Sequence, residues 1–177
     1  MTTTPTSWLP ASWAHPTRVP VTQAHHLRPM GPADVDLDLP AVHASRERLW
    51  SIYGQAWGWP PVDLSREADI DDLAHHAAEI DAHESFLYGL FDAAETALLG
   101  CVYVDPPAKV GADADISWWV VEHAVGSELE RALDAFVPAW IEAEWPLHQP
   151  RYVGRDLSWQ QWLCLPDLVE DDAEEDA

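Results

Sequence analysis

SFLYGLFD at Ser85–Asp92, ALLGCVYVD at Ala97–Asp105 and ADISWWVV at Ala114–Val121 decide how this chain folds. The first two are rich in β-branched and aromatic residues and are separated by the short turn Ala93–Thr96, which together predict a β-hairpin. Pro106 and Pro107 end its second strand, since proline removes a ladder donor. In the third run Asp115, Ser117 and Trp119 fall on one face and Ile116, Trp118 and Val120 on the other. Three consecutive strands predict antiparallel pairing.

Working outward, Gly126 precedes SELERALDAFVPAWIEAEW, whose Leu129, Leu133, Phe136 and Trp140 are spaced as the apolar stripe of a helix. Pro138 is expected to bend or break it. Arg151–Asp156 (RYVGRD) reads as a last short strand and Trp159–Leu163 as a final helical turn. A strand–helix–strand unit of this kind predicts a right-handed parallel crossover. Upstream, Val21–Arg28 is a candidate strand closed by Pro29 and Gly31, and Asp38–Tyr53 a helix with Leu39, Val42, Leu49, Ile52 and Tyr53 on one face. GQAWGWPP at Gly54–Pro61 reads as a turn-rich break. Ser65 is placed to cap a second helix that has Glu67 and Asp69 in its first turn and ends near Ala82. The order β-α-α-β-β-β-α-β predicts an α+β fold, a mostly antiparallel mixed sheet with one parallel pair at its end, covered by helices.

The 177 residues suit one domain, expected at residues 21–165. Residues 1–20, rich in Thr and Pro, read as an irregular arm with Trp8 and Trp13 as docking points, and residues 166–177 as an acidic disordered tail. The chain has 31 acidic and 9 basic residues, for a formal charge of −22. Six of the acids lie in Glu170–Ala177, so the body is acidic without them. Such a surface repels nucleic-acid phosphates and anionic membranes and attracts amines and basic protein patches. Neither nucleic acid nor membrane is an expected partner. Cys101 and Cys164 form no CxxC pair and fit a reducing compartment. The start of the chain has neither a basic nor an apolar leader region, and no run nears the roughly 18 apolar residues of a spanning helix. A cytoplasmic location is expected.

The pattern resembles the GNAT acyltransferase superfamily over residues 21–156. HHLRPMGPADVD is similar to that family's first strand and turn, FLYGLFDAAETALLGCVYVDPP to its second and third strands, ADISWWVVEH to its fourth, and VGSELERALDAFVPAWIEAEWP to its coenzyme-binding helix. The resemblance implies acetyl-CoA as donor and a small-molecule or peptide amine as acceptor. It implies that the backbone of Trp119, Val120 and Val121 holds the pantetheine, and that the turn and helix start at His123, Gly126 and Ser127 hold the diphosphate, where free N–H groups and the helix dipole favour an anion. The loop departs from the family pattern: its earlier glycine and arginine are absent, and Glu122 and Glu128 bring negative charge. A non-catalytic relative that binds a basic protein partner is the alternative. Activity on this lineage requires a gap between the two parallel strands and a helix start that no side chain blocks.

Asp115 stands where relatives carry a carboxylate base, with Glu84 as a second candidate and Tyr152 as the candidate acid. His75, Glu79 and His83, four apart, share a helical face, but no metal is expected there, and a solvated face is the simpler reading. Trp57, Trp59, Trp118 and Trp119 allow two readings: packing, or walls of a groove for a cationic amine.

Overall fold

In the computed structural model, which describes residues 8–168, six strands form one mixed sheet. Strands β1 (Val19–Pro20), β2 (His25–Pro29), β3 (Phe86–Asp92), β4 (Leu98–Asp105), β5 (Ala114–Val120) and β6 (Pro150–Tyr152) lie side by side in chain order. Each neighbouring pair is antiparallel except β5 and β6, which are parallel. Helices α1 (Val35–Trp57), α2 (Arg66–Ala82), α3 (Glu128–Glu144) and α4 (Trp159–Leu163) complete the fold.

The expected elements are present, and the differences have local causes. The strand expected at Val21–Arg28 is instead a hairpin, with the last two residues of the N-terminal arm serving as β1. Thr22 makes the reversal: its hydroxyl accepts from the Ala24 amide at 3.1 Å, and the Val21 amide donates to the His25 carbonyl at 2.9 Å. Helix α1 runs through the expected break at Gly54 because Trp57 stacks on Tyr53, one turn back, with ring centroids 4.5 Å apart. It stops at Gly58, whose φ of 65° is left-handed. Helix α3 is continuous through Pro138, and its buried stripe centres on Leu133, Val137, Trp140 and Ile141, with Leu129 and Phe136 at the margin. Ser65 caps α2 as expected, accepting from the Ala68 amide at 3.1 Å.

The arm is seated on the domain. Leu9 is buried, the Trp8 indole donates to the Asp113 carbonyl at 2.7 Å, and Trp13 packs on Trp145 at 4.7 Å. At the other end, Pro166–Leu168 are held against Ala108–Val110 by backbone hydrogen bonds, so the body extends at least to Leu168. Val169–Ala177, most of the expected tail, lie outside the described residues. Among the described residues no helix is long and apolar enough to cross a membrane.

Two consequences position the site. Period-two alternation puts Ser85, Leu87, Cys101, Tyr103, Asp105, Asp115 and Ser117 on the sheet face toward a single cavity. Strand β6 pairs with β5 only at Ala114–Ile116, and Val153 adds a last bond to the Ile116 carbonyl. At Gly154, with φ 86°, the chain turns away. Ser117–Val120 therefore run on without a parallel partner, and a notch opens between the two strands.

Candidate active site

The cavity has a volume of about 560 Å³ and is enclosed by the sheet face, α1, α2 and α4. Its aromatic wall is continuous: Trp57 meets Tyr103 at 5.3 Å and Trp159 at 5.2 Å, both edge to face. Trp59 and Trp162 complete it. The sequence left Trp57 and Trp59 between groove and packing, and both line the cavity. Trp118 faces the other way, donating to Asp134 at 2.7 Å beneath Arg155.

Six carboxylates line the cavity, from Asp38, Asp72, Glu79, Glu84, Asp105 and Asp115, and no Lys or Arg does. A space with aromatic walls and acidic polar groups selects a cation. His75 and His76 lie at its rim beside Glu79, at 3.3 and 3.2 Å. His75 on this face is exposed to solvent, as expected, while His76 and Glu79 are half-buried. His83 leaves this group: it ends α2 in a left-handed conformation and meets His15. No cluster suited to a metal ion occurs among the described residues.

The two central acids have opposite surroundings although the sheet register sets Asp105 directly across from Asp115. Asp115 is buried and saturated. It accepts from Arg151 at 2.7 Å, from the Ala108 amide at 3.0 Å and from the Trp162 indole at 3.1 Å. Arg151 also holds the carbonyls of Lys109 and Val110, so the pair ties the β4–β5 loop to β6. Such a carboxylate is an anchor, its two oxygens taken up by three donors. Asp105 has one donor, the Ser85 hydroxyl at 2.6 Å. Burial, helped by the charges of Glu79 and Asp115, pushes its carboxyl up to about 7, against the opposing pull of the Ser85 hydrogen bond. Glu84, the other candidate base, is exposed at the cavity edge. Tyr152 lies outside the cavity, half-buried with its ring edge-on to Trp118 at 6.0 Å.

The notch holds a second recess of about 430 Å³, between α1, Trp118 and the Gly154–Gln160 segment. The two spaces share Val153 and Trp159 as walls. The gap expected between the parallel strands is therefore present. The helix start is not open. The Gly126 amide, at φ 74°, donates to the Glu130 carboxylate at 2.6 Å, and Ser127 Oγ accepts from the Glu130 amide at 3.3 Å. Other groups expected to hold the coenzyme are also engaged. Of that backbone, the Val121 amide donates to the Leu99 carbonyl and the Val120 carbonyl accepts from Arg48. His123 is exposed in a single 3₁₀ turn.

Coenzyme A can be tested against this donor set. The loop carries no Lys or Arg, but folding brings Arg48, on Glu122 at 2.9 Å, and Arg131, on the Gly126 carbonyl at 2.8 Å. Two guanidinium groups and the Gly126 amide suit a diphosphate by donor chemistry. The carboxylates of Glu122, which is exposed, and Glu130, which is half-buried, compete for the same donors.

No protein-family model matches the sequence, and no curated protein matches it. Solved structures do. RimL, a ribosomal L7/L12 α-N-protein acetyltransferase, superposes with a TM-score of 0.54 at 17% identity over 71% of this chain and 65% of its own. This chain thus spans just under two thirds of RimL. A ribosomal-protein-S5-alanine acetyltransferase from Vibrio fischeri gives 0.58 at 13% identity, over 84% of this chain and 80% of that one. The microcin C7 self-immunity acetyltransferase MccE, solved with acetyl-CoA and AMP, gives 0.56 at 10%, over 72% and 68%. The chain has the GNAT-like fold of these acetyltransferases. Among solved structures it is similar to protein N-terminal acetyltransferases and to a self-immunity acetyltransferase.

Proposed function

We propose that this chain is an acyl-CoA-dependent N-acyltransferase for a cationic small-molecule or peptide amine. The observation that carries the reading is the meeting of two spaces at Val153 and Trp159: a notch of the kind that admits a thioester arm, and an acidic, aromatic-walled cavity that suits an ammonium group. Asp105 is the base. With its carboxyl near 7 it takes a proton from the bound ammonium at neutral pH, leaving the nitrogen lone pair free to attack the thioester carbonyl; as the N–C bond forms the C–S bond breaks, and the nitrogen's second proton leaves with the thiolate as free coenzyme A thiol. An acyl-CoA, when bound, supplies the activated acyl group as a thioester, and Arg48 and Arg131 are the residues that would hold its diphosphate. Asp115 positions rather than reacts, fixing the wall that both spaces share through Arg151 and Trp162. The Trp57, Tyr103 and Trp159 rings exclude water from the amine and favour its charge.

Isothermal titration with acetyl-CoA, followed by mass spectrometry of amine mixtures incubated with protein and acetyl-CoA, tests this. Saturable heat and a mass gain of one acetyl group are expected. No heat, no thermal shift at millimolar acetyl-CoA and no acetylated product would remove the enzymatic reading.

A further inference from the structure

The cavity selects on more than charge. Five rings line it, from Trp57, Trp59, Tyr103, Trp159 and Trp162, and most of them brace one another. Trp159 meets Trp57 at 5.2 Å and Trp162 at 5.4 Å, both edge to face. Behind them the buried Tyr53 stacks on Trp57, with 12° between the planes. Rings held in place by their neighbours keep their shape when a ligand enters, so little ordering is left for binding to supply. Of the five, Tyr103 and Trp162 are buried, Trp59 and Trp159 are half-buried, and Trp57 is exposed although three rings touch it. Open indole surface inside such a nest suits a ligand ring, because aromatic pairs gain more than the area that they bury.

The acid that takes the ammonium group stands beside this wall. Asp105 and Tyr103 are two residues apart on β4, so they project to the same face, about 7 Å apart along the strand. Trp57 lies against Tyr103, with ring centroids 5.3 Å apart. An ammonium group at Asp105 therefore places whatever it carries, two or three carbons on, against Tyr103 and Trp57. The polar lining restricts the rest of the ligand. No Lys, Arg, Asn or Gln lines the cavity among the described residues. The Ser85 hydroxyl and the Trp162 indole are already spent on Asp105 and Asp115. A carboxylate on the acceptor would meet acids with no base to balance it. A saturated or sugar-like body would gain nothing from the rings beyond its area.

We infer that the acceptor is an arylalkylamine without an acidic group, its ammonium at Asp105 and its flat ring against Trp57 and Tyr103. This rests on the acyl-transfer reading for what happens to the nitrogen, and not for binding. The test is isothermal titration of the full chain, without acyl donor, with 2-phenylethylamine, 2-cyclohexylethylamine and L-phenylalanine. 2-Phenylethylamine is expected to bind about threefold or more tighter than its saturated analogue, and about tenfold or more tighter than L-phenylalanine, which adds only a carboxylate. Trp57→Ala is expected to erase the preference for the aromatic ring. Trp50→Ala, which alters an exposed indole of α1 that lines neither space, is expected to preserve it. Equal affinity for the aromatic and saturated amines, L-phenylalanine binding as tightly as 2-phenylethylamine, binding of none of the three, or a preference that survives Trp57→Ala overturns the inference. If acetyl transfer to an alkylamine or a peptide N-terminus is then still measured, the enzymatic reading stands without it. The expected preferences with no acetylated product reverse that outcome, keeping the binding inference and removing the enzymatic reading.

Discussion

In the cavity Asp38, Asp105 and Glu84 face open space with no ion-pair partner among the described residues, whereas at the start of α3 Glu122 and Glu130 have each found a donor, Arg48 and the Gly126 amide. The two regions adjoin the same notch and obey opposite rules. The helix start follows the rules of a stable cap, and its anion site is filled from within the chain. The cavity instead leaves Asp105 with a single hydroxyl donor and Glu84 exposed at its edge, acids that a bound cation would balance. The difference teaches that the acceptor side is poised for a cation, and that the donor side must displace its own carboxylates before it can hold a diphosphate.

That contrast can be broken most sharply at Asp105. Asp105→Asn keeps the shape and removes the proton acceptor. It is expected to lower kcat/KM for amine acetylation by about 10²-fold or more, with a fall in kcat well beyond any loss of amine affinity. Steady-state kinetics beside titration calorimetry would check both. The opposite behaviour is expected at the partner acid. Arg151→Met strands the Asp115 carboxylate, and loss of about 3–5 kcal/mol of stability in urea unfolding is expected, as for other broken buried pairs. If Arg151→Met were neutral for stability, Asp115 would lose its role as anchor.

Smaller effects sharpen the comparison. Trp57 is 40% exposed, so Trp57→Ala should fold. It is expected to weaken amine binding by about three- to tenfold, for a cation–π contribution of about 1 kcal/mol. On the donor side, Glu130→Gln keeps an acceptor for the Gly126 amide and removes a charge. Acetyl-CoA binding is expected to tighten by about fivefold, from relief of repulsion on the order of 1 kcal/mol. An unchanged Kd would mean that Glu130 does not compete for the anion position.

Much of this architecture is legible in residues 85–121, because period-two alternation over three strands fixes both pairing and facing. It is the registers that the alternation leaves open. Asp105 reads as the end of a strand, and only its placement opposite Asp115 and beside Ser85 turns it into a candidate base. Asp115 was singled out by position along the chain, but the groups that saturate it come from Arg151 and Trp162, 36 and 47 residues away. Trp159 and Trp162 look like an ordinary helical turn until the bend at Gly154 brings them over the cavity. The turn at Thr22–Ala24 lacks the Gly, Asn or Asp that announces a hairpin, so β1 and β2 merge into one strand on the page. Arg48 lies 74 residues before the glutamate it binds, which is why the loop looks devoid of bases.

The pH dependence of kcat/KM for acetylation of an amine tests the central claim most directly. Asp105 holds its proton below about 7 and loses it above, so a base there requires activity that is low at pH 5.5, rises with a midpoint near 7 and levels off above it. A rate that keeps climbing with the free amine fraction through pH 9, or one that is flat from 5.5 upward, would contradict proton transfer to Asp105.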